Sequence, residues 1–330
     1  MPRTHVIGTG SSIPKRILSN KDLESIVDTT DEWIIRRTGI KERRISSKGE
    51  KENTTDLATQ ASLQAMEMAG ISPESLDMIV VGTVTPDRQF PSTACMVQKE
   101  LNAENATAFD VSAGCTGFLY ALTVVDNAIQ CGTCKTALVV GVDRLSSVIN
   151  WQDRNTCVLL GDGAGAVVVA STKKKNRILS THLRSDGTLW ELLYSSDGNN
   201  HTPKILQSID IKPFQLSMDG HRLFKKAVAC LSSIANQALQ HNSLSCKDIE
   251  LLVPHQANIR IINAMAKNLR ISMEKVYTNI HRYGNTSSAS IPIALDEANR
   301  EGLLKKGDHV LLVSFGAGLT WGASILRWSI

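Results

Sequence analysis

In Asp77-Met-Ile-Val-Val-Gly-Thr-Val84, the stretch Met78–Val84 is a continuous apolar run, the pattern of a β-strand buried on both faces. Its opening returns at Asp248-Ile-Glu-Leu251, 171 residues later. Two further landmarks keep nearly the same spacing. Phe109–Cys115 matches Asn279–Asn285 at 170 residues, and Thr136–Gly141 matches His309–Ser314 at 173. Three landmarks at almost one offset predict an internal duplication. Around them, strand-like and helix-like stretches alternate. Thr54–Ala69, Ser92–Leu101 and Cys115–Gln130 read as helices; Ala106–Val111, Thr136–Val142 and Ala164–Ala170 read as strands. In the second half, Ile178–Leu183, Ile249–Val253, Val276–Asn279, His309–Phe315 and Ala323–Trp328 read as strands. His221–Gln240, Ile259–Asn268 and Ser288–Arg300 read as helices. Such alternation predicts an α/β fold in layers. The Lys-rich stretch Thr172–Arg177 reads as the polar hinge between halves 1–174 and 175–330.

Bulk properties narrow the function. A chain of 330 residues with 42% hydrophobic and 21% charged content can bury a large core. Its formal net charge of +4 does not suggest a nucleic-acid binder. The start lacks the apolar stretch of a signal peptide, and no apolar run is long enough to span a bilayer. Seven scattered cysteines predict reduced thiols and a cytoplasmic setting. Cys131 and Cys134 form a CGTC tetrad, readable as a redox pair or half a zinc site. With no second pair at ligand spacing, two incidental thiols are preferred and no metal is expected.

Phe109-Asp-Val-Ser-Ala-Gly-Cys-Thr-Gly-Phe118 carries the most chemistry. A strand ends at Val111, small residues make a tight turn, and a helix is expected to open near Cys115. A nucleophile on such a strand-to-helix turn is exposed. The helix N-terminus is expected to favour thiolate over thiol. The alternative is a buried, inert cysteine. In the second half, His255 follows a buried strand in Val253-Pro-His-Gln-Ala-Asn258. Asn285, in Tyr283-Gly-Asn-Thr-Ser287, occupies the slot equivalent to Cys115. Alone, His255 reads as structural and Asn285 as a turn residue. Together, strand ends of two related halves can surround one cavity, where α/β folds put their ligands. Gly161-Asp-Gly-Ala-Gly165 lacks the Lys-Ser/Thr of a phosphate loop and reads as tight backbone packing. The glycines of Ser314–Gly322 would let backbone N–H groups approach a reacting carbonyl.

Six strings in order resemble the β-ketoacyl-acyl-carrier-protein synthase III family of the thiolase superfamily. They are Asp31–Ile40, Val111–Phe118, Gly161–Ala166, His255–Arg260, Gly284–Asn285 and Ser314–Gly322. The resemblance implies a duplicated thiolase-like fold in five αβαβα layers, and a homodimer. It implies that Cys115 accepts an acyl group from a CoA thioester, taken as a substrate and not as a resident cofactor. Malonyl-acyl-carrier protein would then lose CO2 and condense with it, starting fatty acid biosynthesis. His255 and Asn285 would donate hydrogen bonds to the malonyl thioester oxygen. The backbone N–H groups of Cys115 and Ala317 would form an oxyanion hole. Trp33, Arg37, Thr38, Arg154, Asn258 and Phe315 would contact CoA, and Phe90 would reach the partner subunit's acyl pocket. Lys225, Arg260 and Lys267 would meet the carrier protein; ordinary solvated charge is their other reading. Ala317 departs from a stretch that is often all glycine, which puts the oxyanion geometry in question.

The rivals are weaker. A degradative thiolase needs a late second cysteine, and none follows Cys246. Elongating condensing enzymes pair Cys with two histidines. A related enzyme of secondary metabolism could use the same three residues, as could a cysteine hydrolase releasing free acid. A non-catalytic binding module leaves the Cys115 turn unexplained. The primer is not legible, because its cavity is built from distant loops that include 185–214.

Overall fold

The computed structural model describes residues 2–197, 205 and 214–330. The first half opens with β1 (Arg3–Ser12), β2 (Ile17–Ser19), α1 (Asn20–Glu24), α2 (Asp31–Thr38), β3 (Glu42–Arg44) and α3 (Thr54–Ala69). It continues with β4 (Met78–Gly82), α4 (Thr93–Leu101), β5 (Thr107–Val111), α5 (Gly117–Gln130), β6 (Thr136–Arg144), α6 (Arg154–Cys157) and β7 (Asp162–Thr172). The second half holds β8 (Ile178–Ser185), β9 (Leu193–Asp197), β10 (Phe214–Met218), α7 (Gly220–His241), β11 (Leu251–Pro254) and α8 (Ile259–Leu269). Then come α9 (Ile280–Tyr283), α10 (Ser290–Arg300), β12 (His309–Gly316) and β13 (Thr320–Arg327).

Local chemistry sets the ends. The Asn53 side chain accepts the Asp56 N–H and Asp56 returns a bond to Asn53, a capping box that starts α3. Gly70, at φ 65°, ends it in the left-handed region that glycine enters without penalty.

Two sheets repeat one topology. The first runs β1-β7-β6-β4-β5, and the second, read from the matching edge, runs β8-β13-β12-β11. The fifth place of the second sheet is held by a single parallel bridge from Leu252 to Val276. The expected strand at Val276–Asn279 is therefore reduced to one bridge. The chain leaves the sheet there because Asn279 turns into α9, its side chain bonded to Glu297 at 2.7 Å.

Alternation along the strands makes the layers. Val139, Val167 and Val169 face inward with Val310 and Leu312, against Phe118 and Leu122 of α5 and Ile291 and Leu295 of α10. Leu138, Val140 and Val168 face the other way, onto α3 and α4. Leu311, Val313 and Ile325 pack on α7 and α8. Both faces of each sheet are thus covered, which explains the runs without polar alternation. The stack is α, β, α, β, α, with α5 and α10 as the shared middle layer.

Candidate active site

The Cys115 thiol sits where the first half of the middle layer begins. β5 ends at Val111, and Gly114–Thr116 form a 3-10 turn before α5 opens at Gly117. The helix expected from Cys115 thus begins two residues later, and Cys115 lies in the tighter turn ahead of it. Gly114 has φ +56°, and a Cβ there would stand 2.7 Å from the Ala317 nitrogen. A Cβ on Gly316 would stand 2.5 Å from the Cys115 nitrogen. The two turns, one from each half, therefore meet backbone to backbone. Ser314 Oγ donates to the Cys115 carbonyl at 2.9 Å, and Thr320 Oγ1 donates to the Ala113 carbonyl at 2.8 Å. Ala317 is not among the non-glycine residues with positive φ, so its methyl group is compatible with this turn.

His255 directly follows the strand β11. Its backbone N–H donates to Val313 O at 2.8 Å, and its Nδ1 lies 2.6 Å from Ser290 Oγ. The ring is buried, and burial pushes its pKa down to about 3, so the imidazole is neutral. Asn285 is held by the first half. Its N–H donates to Leu159 O at 2.8 Å, and its carbonyl accepts from Gly161 N–H at 2.9 Å. Gly161 is crowded by the Tyr283 carbonyl and Gly165 by the backbone of Pro292 and Ile293. The glycine segment thus serves as tight backbone packing, as read.

Cys115, His255 and Asn285 line one cavity of about 470 Å³, together with Asn258, Phe315 and Ala317. Its wall is mostly apolar, with Leu223, Phe224 and Leu231 from α7 and Leu145 and Leu160 from the first half. Burial pushes the Cys115 thiol up to about 12; a Ser287 side-chain hydrogen bond opposes this and the nearby Asp143 carboxylate adds to it. Burial thus opposes the thiolate expected at this turn. A reaction here must move the thiol proton as the sulfur attacks.

The other candidate residues are distributed as follows. Trp33 lies outside the cavity, with the guanidinium of Arg154 over its ring at 4.9 Å and that of Arg37 at 5.8 Å. Asn258 caps α8 and donates from Nδ2 to Arg37 O at 3.1 Å, joining the cavity to that cluster. Phe315 stacks on Trp321 at 6.4 Å. Thr38 is only 3% exposed, and its hydroxyl donates to Ile34 O at 2.7 Å while accepting Ile40 N–H at 3.0 Å. Its hydroxyl is thus engaged in ending α2. Phe90 is 82% exposed and does not line this chain's own cavity. Lys225, Arg260 and Lys267 are exposed on α7 and α8, two helices that also line the cavity, and Arg260 lies over Phe224 at 5.6 Å.

Cys131 is exposed and Cys134 is buried, its pKa pushed up to about 11 by burial, and both are free. Among the described residues, no cluster of three or more His, Cys, Asp or Glu could hold a metal. Of residues 185–214, 198–204 and 206–213 lie outside the described residues.

Sequence reasoning missed the support around these groups. Ser287, at φ +52°, donates from its backbone N–H to Asn285 Oδ1 at 2.8 Å. Buried Asp143 accepts from Val84 N–H at 2.8 Å, Thr85 Oγ1 at 2.9 Å and Ser288 Oγ at 2.8 Å. The available signal was the run Thr286-Ser-Ser-Ala-Ser290: hydroxyls packed against an apolar helix must find buried partners.

Comparisons with known proteins agree with this geometry. A family model described as 3-oxoacyl-[acyl-carrier-protein] synthase III matches residues 109–187, and the model of its C-terminal part matches 239–328. A β-ketoacyl-[acyl-carrier-protein] synthase III of Caldanaerobacter subterraneus subsp. tengcongensis is 51% identical over 324 residues, 98% of this chain and 97% of that one. The crystal structure of 3-oxoacyl-[acyl-carrier-protein] synthase III from Aquifex aeolicus VF5 superposes with a TM-score of 0.90 at 49% identity, covering 98% of this chain and all of that one. The priming β-ketosynthase from the R1128 polyketide biosynthetic pathway gives a TM-score of 0.91 at 36% identity, over 99% and 96% of the two chains.

Proposed function

The chain belongs to the 3-oxoacyl-[acyl-carrier-protein] synthase III family, and we propose that it performs the family's condensation with Cys115, His255 and Asn285. The carrying observation is that these three side chains, from both halves, line one cavity. It supports a nucleophile on half 1–174 and its partners on half 175–330.

In the first step, the Cys115 sulfur attacks the thioester carbonyl of acyl-CoA. The oxyanion takes hydrogen bonds from the Cys115 and Ala317 backbone N–H groups, as the contact of their turns allows. The carbon–sulfur bond to CoA breaks, and the thiol proton leaves with CoA. Covalent capture divides a difficult transfer into two easier ones. In the second step, malonyl-acyl-carrier protein loses CO2, and the released electron pair forms an enolate. His255 and Asn285 donate to its oxygen. The enolate carbon attacks the acyl carbonyl, the bond to Cys115 breaks, and the sulfur regains a proton. The product is a 3-oxoacyl-acyl-carrier protein, initiating fatty acid biosynthesis. Neutral His255 suits a donor role, because it needs no proton from solvent.

Several finer assignments belong to the same reading. The Trp33–Arg37–Arg154 cluster would hold the CoA nucleotide end, and Asn258 and Phe315 the pantetheine arm. Exposed Lys225, Arg260 and Lys267 would receive the acidic carrier protein beside the cavity. A homodimer would use β5, which ends its sheet with one side unpaired, and would bring exposed Phe90 to the partner's acyl pocket. A cytoplasmic location follows from these substrates. Among the described residues, no helix is long and apolar enough to cross a membrane.

Fatty-acid initiation is preferred to secondary metabolism because identity is 51% to a relative named β-ketoacyl-[acyl-carrier-protein] synthase III and 36% to the priming β-ketosynthase of a polyketide pathway. Intact-mass detection of acyl-Cys115, followed by addition of malonyl-acyl-carrier protein, tests the reading. The parent should gain the acyl mass from acyl-CoA and lose it as 3-oxoacyl product forms. Cys115→Ser should do neither. Normal acyl labelling of Cys115→Ser, or release of free acid without condensation, refutes the assignment.

A further inference from the structure

We propose that Ser290 is a positioning residue that sets the tautomer of His255, keeping the ring proton on Nε2, where the malonyl thioester oxygen would meet it. The inference rests on the donor role proposed for His255 and adds what makes that role possible.

A neutral imidazole has one N–H and one bare nitrogen. Burial keeps His255 neutral, so the ring can donate from Nε2 only if Nδ1 is bare. Nδ1 lies 2.6 Å from Ser290 Oγ. The same oxygen lies 3.4 Å from the Gln256 N–H, which can only donate. A hydroxyl has one proton and two acceptor sites. When Ser290 accepts from Gln256 and donates to Nδ1, every group is satisfied and the ring proton must sit on Nε2. The opposite tautomer makes Ser290 Oγ accept twice. Its own proton is then left without an acceptor among the described residues, in a place where Ser290 is 2% exposed. A buried unpaired donor is disfavoured. The hydrogen bonds therefore select the tautomer without any charged partner.

The serine is itself held in place. It opens α10, three residues after Ser287 and two after Ser288. Ser288 Oγ lies 2.8 Å from both the Gly82 carbonyl and Asp143 Oδ2. The segment that places Ser290 against His255 is thus anchored to the first half, beside the Cys115 turn.

Full-length protein labelled with 15N-histidine tests this by long-range proton–nitrogen correlation, with His255 identified as the signal lost in His255→Gln. The parent should show the Nε2–H form. Ser290→Ala should move the proton wholly or partly to Nδ1 and lower kcat for malonyl-carrier decarboxylation about tenfold, the size of one ordinary hydrogen bond. KM and Cys115 acylation should not change, and Ser290→Thr, which keeps the hydroxyl, should restore both signals. A parent His255 protonated on Nδ1 overturns the proposal, and this readout needs no variant. So does a Ser290→Ala protein with unchanged tautomer and rate. If His255→Ala, which has no donor, decarboxylates at the parental rate, the donor role of His255 falls, and the proposal with it; the tautomer readout tells the two failures apart.

Discussion

The side-chain oxygen of Asn285 accepts the Ser287 backbone N–H at 2.8 Å, so the carboxamide turns its NH2 group, a donor, toward the cavity. Ser287 reaches this position at φ +52°, in the left-handed region, and lines the cavity with Cys115. One residue in a left-handed conformation thus orients the carboxamide beside the thiol.

This orientation predicts the effect of Asn285→Asp. The carboxylate keeps the acceptor for Ser287 but replaces two donors with an anion. Decarboxylation should fall by about 10² to 10³, the usual loss for one oxyanion donor. Acylation of Cys115 should persist. Release of CO2 from malonyl-carrier protein, measured beside intact-mass acylation, separates the steps. Equal loss in both would remove the step-specific role.

The contact between the Gly316 and Cys115 turns predicts a steric outcome. In Gly316→Ala, the new methyl would lie 2.5 Å from the Cys115 nitrogen, and backbone must move. Since that N–H belongs to the proposed oxyanion hole, acylation should drop by about 10² or more. Gly187→Ala is the control, because a Cβ there meets nothing within 4 Å. Acyl-Cys115 formation at the parental rate in Gly316→Ala would show that the two turns need not touch for catalysis.

Neutral, buried His255 predicts a pH dependence of stability. Its folded pKa, about 3, lies below the unfolded value of about 6.5. Between these values the unfolded chain binds the extra proton. The contribution is therefore complete above about pH 6.5 and is lost as pH falls toward 3. Between pH 7 and 4.5 the parent should lose roughly 2 to 3 kcal/mol more than His255→Gln. Reversible urea unfolding of both proteins at the two pH values measures the difference. Parallel losses would mean that the ring is protonated in the folded state.

Much of the architecture was legible because burial on both faces leaves a plain mark. A strand covered by helices on each side cannot alternate polar and apolar residues, so Met78–Val84 and Thr136–Val142 announced themselves, the first overrunning the observed strand by two residues. The duplication was legible because both halves must supply a sheet to the same middle layer. Val276–Asn279 deceived, since its composition suits a strand while Asn279 is drawn to Glu297 in another element. At Thr38 the sequence is silent in another way: a hydroxyl at a helix end can serve a ligand or its own backbone, and no local pattern separates the two.

The sequence by itself determined the main strands and helices of the two halves, their repeat, and the three side chains that the cavity brings together. Those features depend on local periodicity and on residue chemistry, which travel with the chain. Tertiary structure alone decided that burial raises the Cys115 thiol pKa, that Asn285 Oδ1 is taken by the Ser287 N–H, and that Ser290 faces His255. Each of these depends on desolvation or on a hydrogen bond between distant segments, and neither leaves a local pattern.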